Sequence, residues 1–243
     1  MRYQLSYKQF GERSILIEWP ALIDEKLLHD VLYFKQKIEK HYRDSTVHIT
    51  HAYSSILVNY EYLNFKFKAE SEVLHSIYLT KSSRTKMTRT LWRIPVCYDQ
   101  TFGADLQELS QEKKFTIQEL IDRHVNVVYT VYFIGFLPGF LYLGGLDKSL
   151  FMPRKGTPRM EIEKGAVAIG GEQTGIYPLR SPGGWYIIGN SPVNFFDVSK
   201  EQPCFAKPGD KLLFVPVSLK QYHNIKTLVD AGVYQLESEV FRD

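Results

Sequence analysis

Residues 165–189 read GAVAIGGEQTGIYPLRSPGGWYIIG. Two apolar runs, Ala166 to Gly170 and Trp185 to Gly189, are each too short for a helix. They are separated by Gly171, Gly175, Pro178, Pro182, Gly183 and Gly184, residues that set tight turns. The stretch predicts short strands joined by close reversals. Working outward, the same texture extends over a wider region. Twelve of the 16 glycines and six of the 11 prolines fall between Gly135 and Pro192. No period accompanies them, and the intervening residues are Phe, Tyr, Leu, Ile and Val, which excludes collagen and low-complexity linkers.

Further strand-like runs surround this region: YTVYF from Tyr129, MEIEKG from Met160 and VNFFDV from Val193. Lys207-Pro208-Gly209-Asp210 reads as a turn into a last strand, KLLFVPV. Short strands at this spacing predict an all-β barrel or sandwich in the second half of the chain. Thr116 and Glu119 form a T-x-x-E capping box, with Phe115 and Leu120 placed as a hydrophobic staple, so a helix should run to about His124. A second outer helix is expected from Ser218 to about Gly232.

The first half reads differently. SILIEW, from Ser14 to Trp19, is a short strand, and Asp24 is placed to cap a helix running to about Lys40. Val47–Tyr53 and Ser55–Tyr60 read as strands, Ala69–Leu79 as a helix and Leu91–Cys97 as a strand. The order β-α-β-β-α-β is that of a ferredoxin-like unit. The fold class expected is therefore α+β: an N-terminal ferredoxin-like α/β domain over 1–90, then a β-barrel domain over 91–243. Residues 81–93, KSSRTKMTRTLWR, carry five cations and no acid. They read either as a solvated linker or as a docking site for an acidic partner.

Composition excludes several classes. A formal charge of +3 spread along 243 residues does not argue for nucleic acid. No stretch is apolar for long enough to span a membrane and the start has no apolar signal core, so a cytoplasmic protein is expected. Cys97 and Cys204 stand far apart without a CxxC pattern, and no zinc-type spacing is present, so no metal site is expected in the chain. No P-loop, H-E-x-x-H or G-x-S-x-G occurs, and Gly170 to Gly175 has the wrong spacing for a dinucleotide loop.

Four glycine-punctuated loops carry the polar and aromatic residues that a binding face needs. The first holds Phe136 and Gly139. The second holds Thr157 and Arg159. The third runs from Gly171 through Gln173 and Thr174 to Tyr177, and the fourth holds Ser181, Gly183, Gly184 and Trp185. Each is a structural turn or part of a shared site. Arg154, Lys155, Arg159, Lys164 and Arg180 fall in the same region, and two or three converging would make an anion site. Glu161 and Glu163 share a strand face, as a paired-acid site or as solvent-facing residues. His124, at a helix C-terminus, either caps that end or points into the site as a proton carrier.

These residues resemble a known family. Tyr132 to Phe140 (YFIGFLPGF) with Tyr142 to Leu146 (YLGGL), Pro153-Arg154 through Thr157-Pro158-Arg159, Gly165 to Pro178 and Ser181 to Gly189 are similar to four blocks of the family of KipI and the 5-oxoprolinase B subunit, PxpB. That family is also called allophanate hydrolase subunit 1-like, the carboxyltransferase domain, subdomains C and D. The second block departs mildly, with Lys155-Gly156 before Thr157. The resemblance implies a cyclophilin-like β-barrel behind the small α/β domain. It implies two partners: a longer, KipA/PxpC-like C subunit, and a TIM-barrel-like A subunit. Together they form an ATP-dependent 5-oxoprolinase that opens 5-oxoproline to glutamate, with ATP and Mg held by the complex. A regulatory protein docking on a sensor histidine kinase, and a carboxyltransferase subunit of urea or allophanate metabolism, are the rival functions.

On that reading, cations and backbone N–H groups stabilise charge developing on the lactam oxygen. His124, Arg159 and Gln173 are the expected catalytic residues. Phe136, Gly139, Arg154, Thr157, Gly171, Thr174, Tyr177, Ser181, Gly183, Gly184 and Trp185 are the expected substrate- or nucleotide-binding residues.

Overall fold

The computed structural model describes residues 3–43, 47–61, 64–80 and 88–242. The chain divides into two compact units, 1–86 and 87–243. Of the basic run, Lys81, Arg84 and Lys86 lie outside the described residues. Arg89 and Arg93 belong to a strand rather than a linker.

The first unit holds β1 (Ser6–Gln9), β2 (Ser14–Glu18), α1 (Glu25–His41), β3 (Val47–His51), β4 (Ser55–Tyr60) and α2 (Phe67–Leu79). Its sheet has the order β1-β2-β4-β3, antiparallel throughout. Asp24 caps α1 by accepting from the Leu27 N–H at 3.0 Å. Leu27, Leu28, Val31, Phe34 and Ile38 of α1 are fully buried, and the alternate strand residues Ile15, Ile17, Ile56 and Val58 are buried with them. Each such aliphatic side chain removed from water contributes about 1.5–3 kcal/mol. Asp30 accepts from both Trp19 Nε1 and the Tyr78 hydroxyl, which ties α1 to β2 and α2.

The expected β-α-β-β-α-β order needs correction at its last strand. Residues 91–97 do not return to this sheet; they lie in the second unit. The place beside the first strand of the pattern is taken by β1, an N-terminal strand absent from the sequence-based expectation. Ser6–Gln9 is mostly exposed, so it has no apolar alternation to announce it.

The second unit is built from β5 (Thr88–Val96), α3 (Leu106–Lys113), α4 (Ile117–Val125), β6 (Tyr129–Ile134), β7 (Leu141–Gly144), β8 (Arg159–Ile162), β9 (Ala166–Gly170), β10 (Gln173–Ile176), β11 (Ser181–Gly183), β12 (Tyr186–Asn190), β13 (Lys211–Pro216), α5 (Leu219–Asp230) and β14 (Ser238–Arg242). Three ladders result: β14-β5-β13-β6-β7, β10-β9-β12 and the two-stranded β11-β8. Among the described residues no ladder closes on itself. The expectation of a single continuous barrel therefore resolves into mixed α+β structure with several sheets.

Local signals account for the joints. The Thr116–Glu119 capping box starts α4, and a Ser218–Gln221 box starts α5. The turn at Lys207-Pro208-Gly209-Asp210 closes with the Asp210 N–H donating to the Lys207 carbonyl at 3.1 Å, and Gly209 has φ +92°. Proline then positive-φ glycine is the type II pattern. The buried Asp210 carboxylate accepts from the Thr90 N–H, Trp92 Nε1 and the Lys207 N–H, fixing this turn to β5. No helix among the described residues is long and apolar enough to cross a membrane.

Candidate functional site

A cleft of about 110 Å³ opens in the second unit, lined by Phe136, Phe140, Tyr142, Arg154, Tyr177, Gly183, Gly184 and Trp185. That is below the roughly 150 Å³ of an apolar cavity that takes one benzene ring, so the cleft holds at most a single small ring. Phe140 is the hub of its walls. Tyr177 and Trp185 meet Phe140 edge to face at 5.5 and 5.7 Å, and Tyr142 is tilted against it at 4.9 Å. The indole of Trp185 packs closely on the backbone of the β9–β10 hairpin. A Cβ on Gly170 would stand 2.4 Å from its Cδ1, so only glycine permits that approach. Burial pushes the Tyr177 phenol up to about 12, with the nearby Arg154 charge opposing the shift, so its hydroxyl stays protonated at neutral pH.

The rim is set by the loop between β6 and β7. The Phe140 N–H donates to the Leu137 carbonyl at 3.0 Å across Pro138-Gly139, with Gly139 at φ +82°. This is a second type II proline–glycine turn. Just before it, the Leu137 N–H donates to the Gly135 carbonyl at 2.8 Å, and Phe136 sits at φ +65° while 65% exposed. A bulky exposed residue held in the left-handed region costs energy that the rest of the fold must offset, and such strain clusters at ligand sites. Phe136 stands edge-on to Phe140 at 5.7 Å.

The five expected cations do not converge. Arg159 forms two parallel hydrogen bonds to the buried Asp105 carboxylate. Lys155 bridges Asp105 at 3.0 Å and Glu108 at 2.6 Å. Arg180 pairs with Glu161 and more distantly with Glu163, at 3.9 Å, so those acids are not a paired-acid site. Lys164 does not line the cleft. Arg154 alone of the five reaches it. Its guanidinium lies over the Trp185 ring at 5.8 Å and, among the described residues, it has no carboxylate partner. Asp105 also accepts from the Ile187 N–H at 2.6 Å. Burial would raise its carboxyl, but Arg159, that N–H and Lys155 outweigh burial and hold it below the usual range. Arg159 thus anchors β8 to the start of α3 rather than standing free for catalysis.

His124 is fully buried, stacked on Phe214 at 4.5 Å, and outside the cleft. The Thr174 hydroxyl donates its one proton to the Ala168 carbonyl at 3.0 Å, so toward His124 it accepts. Nε2 of His124 therefore carries the proton to Thr174 at 2.8 Å, and Nδ1 accepts from the Tyr98 hydroxyl at 2.8 Å. Burial lowers the imidazole to about 3. A neutral ring with both nitrogens engaged in the core is not a proton carrier for the cleft. Thr174, an expected ligand, belongs to this same core chain.

The remaining expected residues divide further. Gly171 begins a two-residue hairpin turn between paired Gly170 and Gln173, at φ +66°, so the third loop is mostly strand β10. Gln173 Oε1 and Ser181 Oγ are buried without a hydrogen-bond partner among the described residues, and neither residue lines the cleft. Thr157 is exposed on the loop before β8, and Gly139 serves the rim turn. The structure brings together Phe136, Arg154, Tyr177, Gly183, Gly184 and Trp185. Phe140 and Tyr142 join them: Phe140 ends the first glycine-punctuated loop, Gly135 to Phe140, without being singled out as a ligand, and Tyr142 is not expected there. Both lie in the YFIGFLPGF and YLGGL blocks that carry the family resemblance. Asp105 likewise carries no signal in the sequence that marks it as the partner of Arg159. Among the described residues no cluster of His, Cys, Asp and Glu has the make-up to hold a metal ion.

Comparison with known proteins places this geometry in a family. Residues 5–206 match the family described as carboxyltransferase domain, subdomain C and D. The chain is 34% identical over 236 residues to the B subunit of 5-oxoprolinase from Bacillus subtilis (strain 168), covering 93% of this chain and 98% of that protein. The solved structure of TTHA0988 superposes with a TM-score of 0.73 at 29% identity over 85% of this chain, which spans 40% of that one. The urea amidolyase of K. lactis shares the fold, with a TM-score of 0.84 at 17% identity, over 99% of this chain and 16% of that one. With the family matched along most of its length, the chain belongs to the carboxyltransferase subdomain C and D family, whose members include B subunits of 5-oxoprolinases.

Proposed function

We propose that this chain is the B subunit of an ATP-dependent 5-oxoprolinase complex that opens 5-oxoproline to glutamate. The near full-length likeness to the Bacillus subtilis protein supports it. The observation that carries it is the Arg154 guanidinium, without a carboxylate partner among the described residues, over Trp185 in an aromatic cleft that holds at most one small ring. On this reading Arg154 orients the substrate carboxylate, and Phe140 and Trp185 hold the lactam ring and exclude water from its faces. The partners are a longer subunit of the KipA/PxpC-like type and one of the TIM-barrel-like type. This chain spans only part of TTHA0988 and of the yeast amidolyase, so in those proteins the equivalent unit is joined to further chain. In finer fold terms, the first unit is read as a ferredoxin-like domain with its last strand replaced by β1, and the second as an opened cyclophilin-like barrel. On this reading the domain boundary lies near residue 90, close to the division of the two compact units between residues 86 and 87.

The test is reconstitution with the partner subunits and assay of 5-oxoproline-dependent ATP hydrolysis. Turnover is expected with the native chain and its loss with Arg154→Ala. No turnover in the full complex sinks the proposal.

A further inference from the structure

We infer that the cleft is a carboxylate site for one small cyclic acid, with the carboxylate on Arg154 and the ring against Phe140 and Trp185, and that the nucleotide is held outside it. The class of ligand follows from the cleft itself; its identity as 5-oxoproline rests on the function proposed above.

Charge decides first. Lys155, Arg159 and Arg180 are each committed to a carboxylate of this chain, so one guanidinium faces the cleft. One cation balances a monoanion. Guanidinium geometry matches a carboxylate through two parallel hydrogen bonds. The indole face steadies that guanidinium within the roughly 6 Å range of a cation–π contact.

Size and donor set then argue against a nucleotide in the same place. A Mg-bound triphosphate is met by several cations or backbone N–H groups together with carboxylate ligands for the metal. The cleft offers one cation, space for one small ring and no carboxylate among its lining residues. Its residues do not fit Mg-ATP.

The experiment is titration calorimetry on the full chain alone, with 5-oxoproline, 5-oxoprolinamide and Mg-ATP as separate probes. Saturable binding of 5-oxoproline is expected, with no binding of Mg-ATP at the cleft. The amide, and 5-oxoproline on Arg154→Met, should each bind about tenfold or more weakly, as expected for loss of a hydrogen-bonded charge. Arg154 is exposed, so the substitution leaves folding intact, which the unfolding midpoint checks. Equal binding of acid and amide, unchanged binding by Arg154→Met, Mg-ATP competing with 5-oxoproline, or no binding of the acid would each overturn the inference. A complex that turns over 5-oxoproline while the chain alone binds none defeats this inference and leaves the proposed function standing. Binding by the chain with no turnover in the complex does the reverse.

Discussion

Asp105 and Arg159 face each other through two hydrogen bonds, Nη1 to Oδ2 at 2.8 Å and Nη2 to Oδ1 at 2.6 Å, with the carboxylate side chain 2% exposed. The Arg159 side chain is 34% exposed, so removing it should cost less than the roughly 3–5 kcal/mol of a fully buried pair. Lys155 still reaches Asp105, so Arg159→Ala should cost about 1–3 kcal/mol, the range for losing a hydrogen bond to a charged group, measured by denaturant midpoint. The substitution is expected to act on the fold first and on activity through it. Arg180→Ala is the contrast: that pair is exposed on both sides and should cost less than about 1 kcal/mol.

His124 gives a pH signature. Its folded value is lowered to about 3, against an ordinary 6.5. Below the unfolded value the unfolded chain takes up a proton that the folded chain refuses. Stability should therefore fall as pH drops from about 6.5 toward 3, by up to about 1.4 kcal/mol per pH unit. Urea unfolding of native protein and His124→Phe between pH 7 and 5 checks this. The variant is less stable throughout, because Tyr98 loses its acceptor, but this part of the slope should vanish. Equal slopes defeat the assignment.

Gly139 and Gly171 separate backbone strain from crowding. Both have positive φ, but a Cβ at Gly171 meets nothing within 4 Å, while one at Gly139 would stand 2.7 Å from Phe196 Cβ. Gly171→Ala should cost about 1–2 kcal/mol from the left-handed backbone alone. Gly139→Ala should cost about 1–3 kcal/mol more through overpacking. Thermal melts of the two variants read the difference directly.

Phe136→Gly should be neutral or stabilising by up to about 1 kcal/mol, since it releases a positive-φ side chain that is mostly exposed. It also removes the rim of the cleft, so 5-oxoproline binding should weaken. A variant that is no less stable and yet binds less would show that the strain at Phe136 serves the site.

The local features are legible where their causes are local. Asp24, the Thr116–Glu119 box and the Pro208-Gly209 turn each act within a few residues, and the structure has all three. The crowding of glycine and proline after Gly135 does mark turns, two of them at Gly139 and Gly171. Strand β1 escapes a sequence reading because its mostly exposed residues leave no apolar alternation, and residues 238–240 of β14 are exposed as well. Leu91–Cys97 is ambiguous in sequence because its apolar run suits either sheet. Its pairings with β13 and β14, both more than a hundred residues on, assign it.

The sequence by itself determined the capped helices, the turn chemistry and the family, because those depend on neighbouring residues and on recognisable blocks. Tertiary structure alone decided which polar groups are spent and which are free. Arg159 meets a carboxylate 54 residues away and His124 a hydroxyl 50 residues away, and both leave the site. Arg154, indistinguishable from Arg159 in sequence, meets no carboxylate among the described residues. A charge is available to a ligand only when no buried partner claims it, and such partners are fixed by packing between distant segments.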